Sequence, residues 1–237
     1  MKIRILYDNT RSDNDTAAGL GFSCLIDNRI LFDTGPDSEG LKRNFEKFQV
    51  DPACLEAVVL SHEHWDHVGG LGWAASVRRN LKVYICPGFS PGFKKEISAL
   101  PARIIEAPHF VPIVPRVYST GAISGTYKGN PIAEQSMIIY GDKGFSVITG
   151  CAHPGIIKVL NTVRSQISPS GFYVVLGGFH LKDHSAEEIN HVVQEFKERN
   201  VKIAAPQHCT GEGALCIFEK EYQSRFLPLR IGEEMEV

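Results

Sequence analysis

With 237 residues, of which 43% are hydrophobic and 22% charged, the chain is long enough to bury a sizeable core as one large domain or two small ones. Its 25 basic and 27 acidic residues leave a formal charge of -2, which does not advertise a nucleic-acid partner, a local basic patch aside. No stretch approaches the roughly 18 consecutive apolar residues that span a bilayer, and the amino terminus lacks the apolar core of a secretory signal. Six cysteines are scattered without a C-x-x-C pair, so the simplest expectation is a cytoplasmic protein with reduced thiols and no membrane association.

Residues 1–8 alternate like a strand, and residues 9–21, rich in Asp, Asn, Thr, Ser and Gly, read as a mobile loop. Residues 22–26 and 30–32 flank Asp27-Asn28-Arg29 as a short hairpin that ends at Asp33-Thr34-Gly35-Pro36. Leu41, Phe45 and Phe48 recur at helical spacing behind a cap at Asp37 or Ser38, and Asp51-Pro52 stops that helix. The run 57–60 predicts a buried strand, 68–80 a helix opened by two glycines, 82–85 a strand and 86–93 a turn-rich connection. Strands are expected at 103–106 and 114–118, and a hairpin over 136–149 turns at Gly141-Asp142-Lys143-Gly144. Ile156, Ile157, Leu160, Val163 and Ile167 mark a helix, 172–176 a strand, and Ser185-Ala186-Glu187-Glu188 is a capping box for a helix burying Ile189, Val192, Val193 and Phe196. A strand at 201–205 and a closing edge strand at 226–232 with Met235 complete the pattern. No low-complexity linker divides the chain, so residues 1–237 are read as a single domain.

The chemistry concentrates in Ser61-His62-Glu63-His64-Trp65-Asp66-His67-Val68-Gly69-Gly70, which packs three imidazoles and two carboxylates onto the loop between a strand and a helix. Residues two apart in an extended loop point the same way, so His62 and His64 can reach one ion, while Asp66 and His67 face a neighbouring one. Imidazole and carboxylate suit zinc, and iron or manganese tolerate the same set. The unit of strand, polar histidine-bearing turn and usually helix then recurs with His153, His180 and His208. In layered α/β folds such loops gather beyond the strand ends.

These residues resemble the signature of the metallo-β-lactamase superfamily. The four stretches Ser-His-x-His-x-Asp-His, Thr149-Gly150-Cys151-Ala152-His153-Pro154-Gly155-Ile156, Gly177-Gly178-Phe179-His180-Leu181 and His208-Cys209-Thr210-Gly211 narrow the likeness. They are similar to the subfamily of metal-dependent hydrolases that includes the archaeal 7,8-dihydropterin-6-methyl-4-(β-D-ribofuranosyl)aminobenzene-5′-phosphate synthase. The resemblance implies an αββα sandwich of two mixed β-sheets flanked by helices, and Asp33 as an acceptor beneath the metal loop. It also implies one or two divalent metal ions, most simply Zn2+ with Fe or Mn tolerated. The expected metal ligands are His62, His64, Asp66, His67, His153 and His208, with His153 filling the place of a histidine missing from 116–125. Cys151 stands where the family pattern has an aspartate, and either packs, the reading preferred here, or bridges as a thiolate. Asp66 is further expected to orient water, and His180 to contact substrate or transfer a proton; His109, His184 and His191 are expected at the surface or in packing.

The expected function is hydrolysis of a small ester, phosphoester or related substrate by metal-activated water. The alternatives are a pterin-diphosphate-dependent condensing synthase, aided at phosphate by Lys158 or Lys182, and a non-catalytic metal-stabilised binding protein. The partner is a small molecule, phosphorylated or pterin-like, rather than nucleic acid.

Overall fold

In the computed structural model, which describes residues 1–11 and 13–237, the apolar runs of the sequence become the strands of two large sheets, one in each of two units. The first unit comprises Met1–Pro108 and Arg230–Glu236, the second His109–Leu229 and Val237.

In the first unit the strands are β1 (Lys2–Tyr7), β2 (Ser23–Ile26), β3 (Ile30–Phe32), β4 (Ala57–Val59), β5 (Leu81–Ile85) and β6 (Ala102–Glu106). They pair in sequence order, and the strand Glu234–Glu236 lies outside β1. Pairing is antiparallel as far as β3 and parallel from β3 to β6. Parallel neighbours need crossover connections, and helices α1 (Ser38–Lys47), α2 (Trp65–Val68), α3 (Leu71–Val77) and α4 (Pro91–Ser98) provide them. The Asp37 carboxylate caps α1 by accepting from the Gly40 amide at 2.7 Å. Phe45 of α1 meets Trp73 of α3 edge-on, with ring centroids 4.8 Å apart.

Three expectations change in this unit. The helix predicted over 68–80 is the shorter α3, and Trp65–Val68, read up to His67 as part of the connecting loop, forms the one-turn helix α2 ahead of Gly69-Gly70. The turn-rich stretch 86–93 runs into a helix, because Ser90 caps the Phe93 amide and Pro91 takes the first helical position, where its missing N–H costs nothing. The terminal strand is Glu234–Glu236 rather than 226–232, where Pro228 interrupts and Phe226 makes a single bridge to Ala204. The loop at 9–21, of which Ser12 lies outside the described residues, is tied down by Asn44, whose amide donates to the Ala17 carbonyl and accepts from the Ala17 amide, both at 2.8 Å.

The second unit holds β7 (Val111–Val114), β8 (Val117–Ser119), a hairpin of β9 (Ile123–Tyr127) and β10 (Asn130–Glu134), then β11 (Met137–Gly141), β12 (Gly144–Thr149), α5 (Ile156–Ile167), β13 (Phe172–Gly178), α6 (Ala186–Glu198), β14 (Val201–Gln207) and α7 (Glu212–Tyr222). Its six-stranded sheet runs β14-β13-β12-β11-β8-β7, parallel among β12, β13 and β14 and antiparallel elsewhere. The one strand expected at 114–118 is two, turned at Pro115-Arg116 with Arg116 at φ +70°. The hairpin β9–β10 and helix α7 had no counterpart in the sequence reading.

Phe179, Phe196 and Phe218 form an aromatic triangle with centroids 5.4 to 5.6 Å apart, and Phe179 precedes His180 directly. Ser185 accepts from the Glu188 amide while the Glu188 carboxylate accepts from the Ser185 amide, the capping box predicted from sequence. Ser185→Ala is expected to lower stability by about 1 kcal/mol, read as a shifted urea midpoint at unchanged slope. Among the described residues no helix is long and apolar enough to cross a membrane.

Candidate metal centre

The first unit builds its histidine-rich loop on a buried carboxylate. Asp33 follows β3, His62 follows β4, and β3 and β4 are parallel neighbours, so both residues emerge from the same end of the sheet. Asp33 is fully buried and accepts from the Ser61 amide, the Ser61 hydroxyl and His67 Nδ1, each at 2.7 Å. Burial pushes the Asp33 carboxyl up, and the His67 ring and Ser61 donors oppose that shift without cancelling it.

This arrangement sets two tautomers. His67 donates through Nδ1, so its Nε2 carries the lone pair, 3.7 Å from the Asp66 carboxylate. Ser61 spends its proton on Asp33 and can only accept from His62 Nδ1, 2.8 Å away, which leaves His62 Nε2 unprotonated and carrying the lone pair. That nitrogen lies 2.9 Å from His64 Nδ1, close to the ~3.3 Å separating two imidazole ligands of one tetrahedral zinc. The two glycines after the histidine cluster are a packing requirement: a Cβ on Gly69 would stand 1.8 Å from the Pro36 carbonyl, and one on Gly70 2.3 Å from that of Thr34.

The second unit repeats the device with Glu134, at the end of β10. Glu134 is buried and accepts from the amides of Cys151, Ala152 and His153 and from His153 Nδ1, all at 2.8 to 2.9 Å. His153 therefore presents Nε2. His153, His180 and His208 follow the parallel strands β12, β13 and β14, which puts them at one edge of that sheet. The rings of His153 and His180 are 4.7 Å apart. Thr210 links two of these turns, accepting from the Phe179 amide at 3.1 Å and donating to the Gln207 carbonyl at 2.7 Å.

Backbone strain marks the same turns. Ala152, His180 and His208 have φ of +58°, +53° and +52°, a region that side-chain-bearing residues rarely occupy. Desolvation would raise the Cys209 thiol, but its hydrogen bonds with Cys151 and His180 and the nearby His208 ring hold it well below the usual thiol range. The same hydrogen bond with Cys209 raises His180. Donor atoms of Cys151, His153 and His180 lie within 4.8 Å of one another, as do those of Cys151, His208 and Cys209.

Residues 19–208 match the model of the metallo-beta-lactamase superfamily. The chain belongs to that superfamily. It is 28% identical, over 88% of its length and 84% of the relative's, to the 7,8-dihydropterin-6-methyl-4-(beta-D-ribofuranosyl)-aminobenzene-5'-phosphate synthase of Methanocaldococcus jannaschii. Its fold is that of Tm1679, described as a metal-dependent hydrolase of the beta-lactamase superfamily, with a TM-score of 0.83, 27% identity and coverage of 100% and 99% of the two chains. Zn2+-bound PqqB from Methylobacterium extorquens shares the fold at a TM-score of 0.67, 13% identity and 100% coverage of both chains. The metallo-β-lactamase fold, with two mixed sheets and helices, is thus the fold of this chain.

The structure gathers His62, His64, Asp66 and His67 in the first unit, and His153, His180 and His208 with Cys151 and Cys209 in the second. His109, His184 and His191 are exposed. Lys158 donates to the Ser124 carbonyl at 2.7 Å. Glu134 escaped the sequence reading. The signal available was a carboxylate three residues before the apolar run of β11, in a stretch where no basic residue lies nearby to pair with it.

Proposed function

We propose that the protein is a metal-dependent hydrolase of a small ester, phosphoester or related substrate, using His62, His64, Asp66, His67, His153 and His208 as ligands for one or two divalent ions. The observation that carries this reading is the pair of buried carboxylates, Asp33 and Glu134, each of which locks an imidazole in the tautomer that a metal requires. The donor set is nitrogen-rich with one carboxylate, which fits zinc and tolerates iron or manganese. Ions bound there supply Lewis acidity and a nucleophile at neutral pH.

The chain's own groups do the remainder. The Asp66 carboxylate, buried beside His67, orients a water proton as well as ligating. His180, standing at the end of β13 with a buried Nδ1 that lacks a hydrogen-bond partner, contacts substrate or hands a proton to the leaving group.

A second reading is a condensing synthase that joins a hydroxymethyl-dihydropterin diphosphate to an aryl ribosyl phosphate, favoured by the relative of that activity, whose alignment covers 88% of this chain. Metal-loaded protein incubated with ester and phosphoester panels, and separately with the pterin diphosphate and the aryl ribosyl phosphate, discriminates the two. Hydrolysis without condensation supports the first reading, condensation the second, and metal binding with neither product on either substrate set counts against both. His64→Ala and His208→Ala are each expected to lower bound metal, measured by elemental analysis. Full metal content in both variants would refute the ligand set.

A further inference from the structure

We propose that Cys151 is a thiolate ligand of the ion held by the second unit, an inference that rests on the metal-dependent reading above. Its sulfur belongs to both donor groups of this unit, with His153 and His180 on one side and with His208 and Cys209 on the other, all donor atoms of each group lying within 4.8 Å of one another. Nitrogen and sulfur ligands of a tetrahedral zinc are about 3.5 Å apart, so small side-chain rotations bring Cys151 Sγ to an ion held by His153 or His208.

The surroundings of Cys151 are those of a ligand rather than of a packed thiol. Cysteines that only pack sit among apolar groups. Cys151 is 4% exposed, yet its donor neighbours are three imidazoles and a second thiol. One of those imidazoles, His180, has a buried Nδ1 with no hydrogen-bond partner among the described residues, a nitrogen whose desolvation is costly unless something binds it.

The backbone also spends strain on this position. Glu134 pins the Cys151 amide at 2.9 Å, Ala152 takes φ +58° immediately after it, and the chain closes on Gly178. A Cβ on Gly178 would lie 3.2 Å from Cys151 Cα, 2.4 Å from the Gly150 carbonyl and 2.6 Å from Cys209 Sγ, so glycine there is what lets both cysteines approach. Cys209 Sγ also lies 3.6 Å from the Cys151 carbonyl. A thiolate in the set makes the centre softer, favouring zinc, cobalt or ferrous iron over manganese or magnesium.

Cobalt reports the bond directly. Full-length protein stripped with a chelator and titrated with Co(II) is expected to develop an intense near-ultraviolet sulfur-to-cobalt charge-transfer band that saturates with bound cobalt. The band should persist in Cys209→Ser and disappear in Cys151→Ser. Cys151→Asp, which restores an anionic ligand without sulfur, should bind as much cobalt as the wild type while lacking the band. Cobalt bound by the wild type without the band, survival of the band in Cys151→Ser, or its loss in Cys209→Ser overturns the assignment while leaving metal dependence intact. Failure of the wild type to bind cobalt overturns the metal-dependent reading and this assignment with it. Should Cys151→Ser or Cys151→Asp fold poorly by circular dichroism, the wild type and Cys209→Ser together still decide.

Discussion

Asp33→Ala is expected to destabilise the metal-free protein by about 3–5 kcal/mol, because it leaves three buried donors unpaired at roughly 1–3 kcal/mol each with partial relief by relaxation. The carboxylate accepts three bonds at 2.7 Å, so its loss strands the Ser61 amide, the Ser61 hydroxyl and His67 Nδ1 in a fully buried site. Asp33 also holds φ +55°, a conformation that alanine adopts less readily than aspartate or asparagine. Asp33→Asn separates folding from ligation. It suits the backbone, but whichever way its amide is turned an N–H group faces a donor.

If the asparagine nitrogen faces His67, both His67 and His62 must adopt the opposite tautomer and put a proton on Nε2, where an ion would bind. If it faces the Ser61 amide, two donors meet across a bond now 2.7 Å long. Metal affinity is therefore expected to fall roughly 10–100-fold in Asp33→Asn, the usual effect of losing an orienting partner behind a ligand. Competition with a chromophoric chelator measures the affinity, and urea unfolding of the stripped protein measures the stability. Unchanged affinity in Asp33→Asn would show that Asp33 does not orient the ligand loop.

Glu134→Ala is expected to be at least as damaging, about 3–5 kcal/mol, because three backbone amides and the His153 ring share this one carboxylate. The effect should depend on pH with a definite sign. Burial alone would raise the Glu134 carboxyl, but the His153 ring and the amides of His153 and Cys151 outweigh it and hold the group below its ordinary value of 4.5. An acid with a lowered folded pKa stabilises fully above its unfolded value and loses that contribution as pH falls through the folded one. The deficit of Glu134→Ala relative to wild type should thus be largest above pH 4.5 and shrink as the pH falls below that value. A deficit independent of pH would assign the loss to packing instead.

The metal loop, the three later histidine turns and the capping box at Ser185 were legible because each is local. His62, His64, Asp66 and His67 lie within six residues, and Ser185 and Glu188 within four, so spacing alone specifies what they can do. Helix α1 was legible for the same reason, its buried Leu41 and Phe45 standing one turn apart behind Asp37. Helix α7 was not: its buried Ala214, Phe218 and Tyr222 form one narrow stripe, and what makes them core is α6 packed alongside.

Glu134 shows the limit most clearly. A glutamate at the end of a strand is solvated in most proteins, and this one is buried only because the turn after β12 wraps its amides around it, 17 to 19 residues further on. The sequence by itself determined which imidazole- and carboxylate-bearing side chains stand together and on which strand-end turns they sit, since residue identity and strand-to-turn spacing are local properties. Only the tertiary structure decided which nitrogen His67 and His153 present and what surrounds Cys151. Tautomer and desolvation depend on partners distant in the chain, Asp33 for His67 and Glu134 for His153, and no local pattern encodes them.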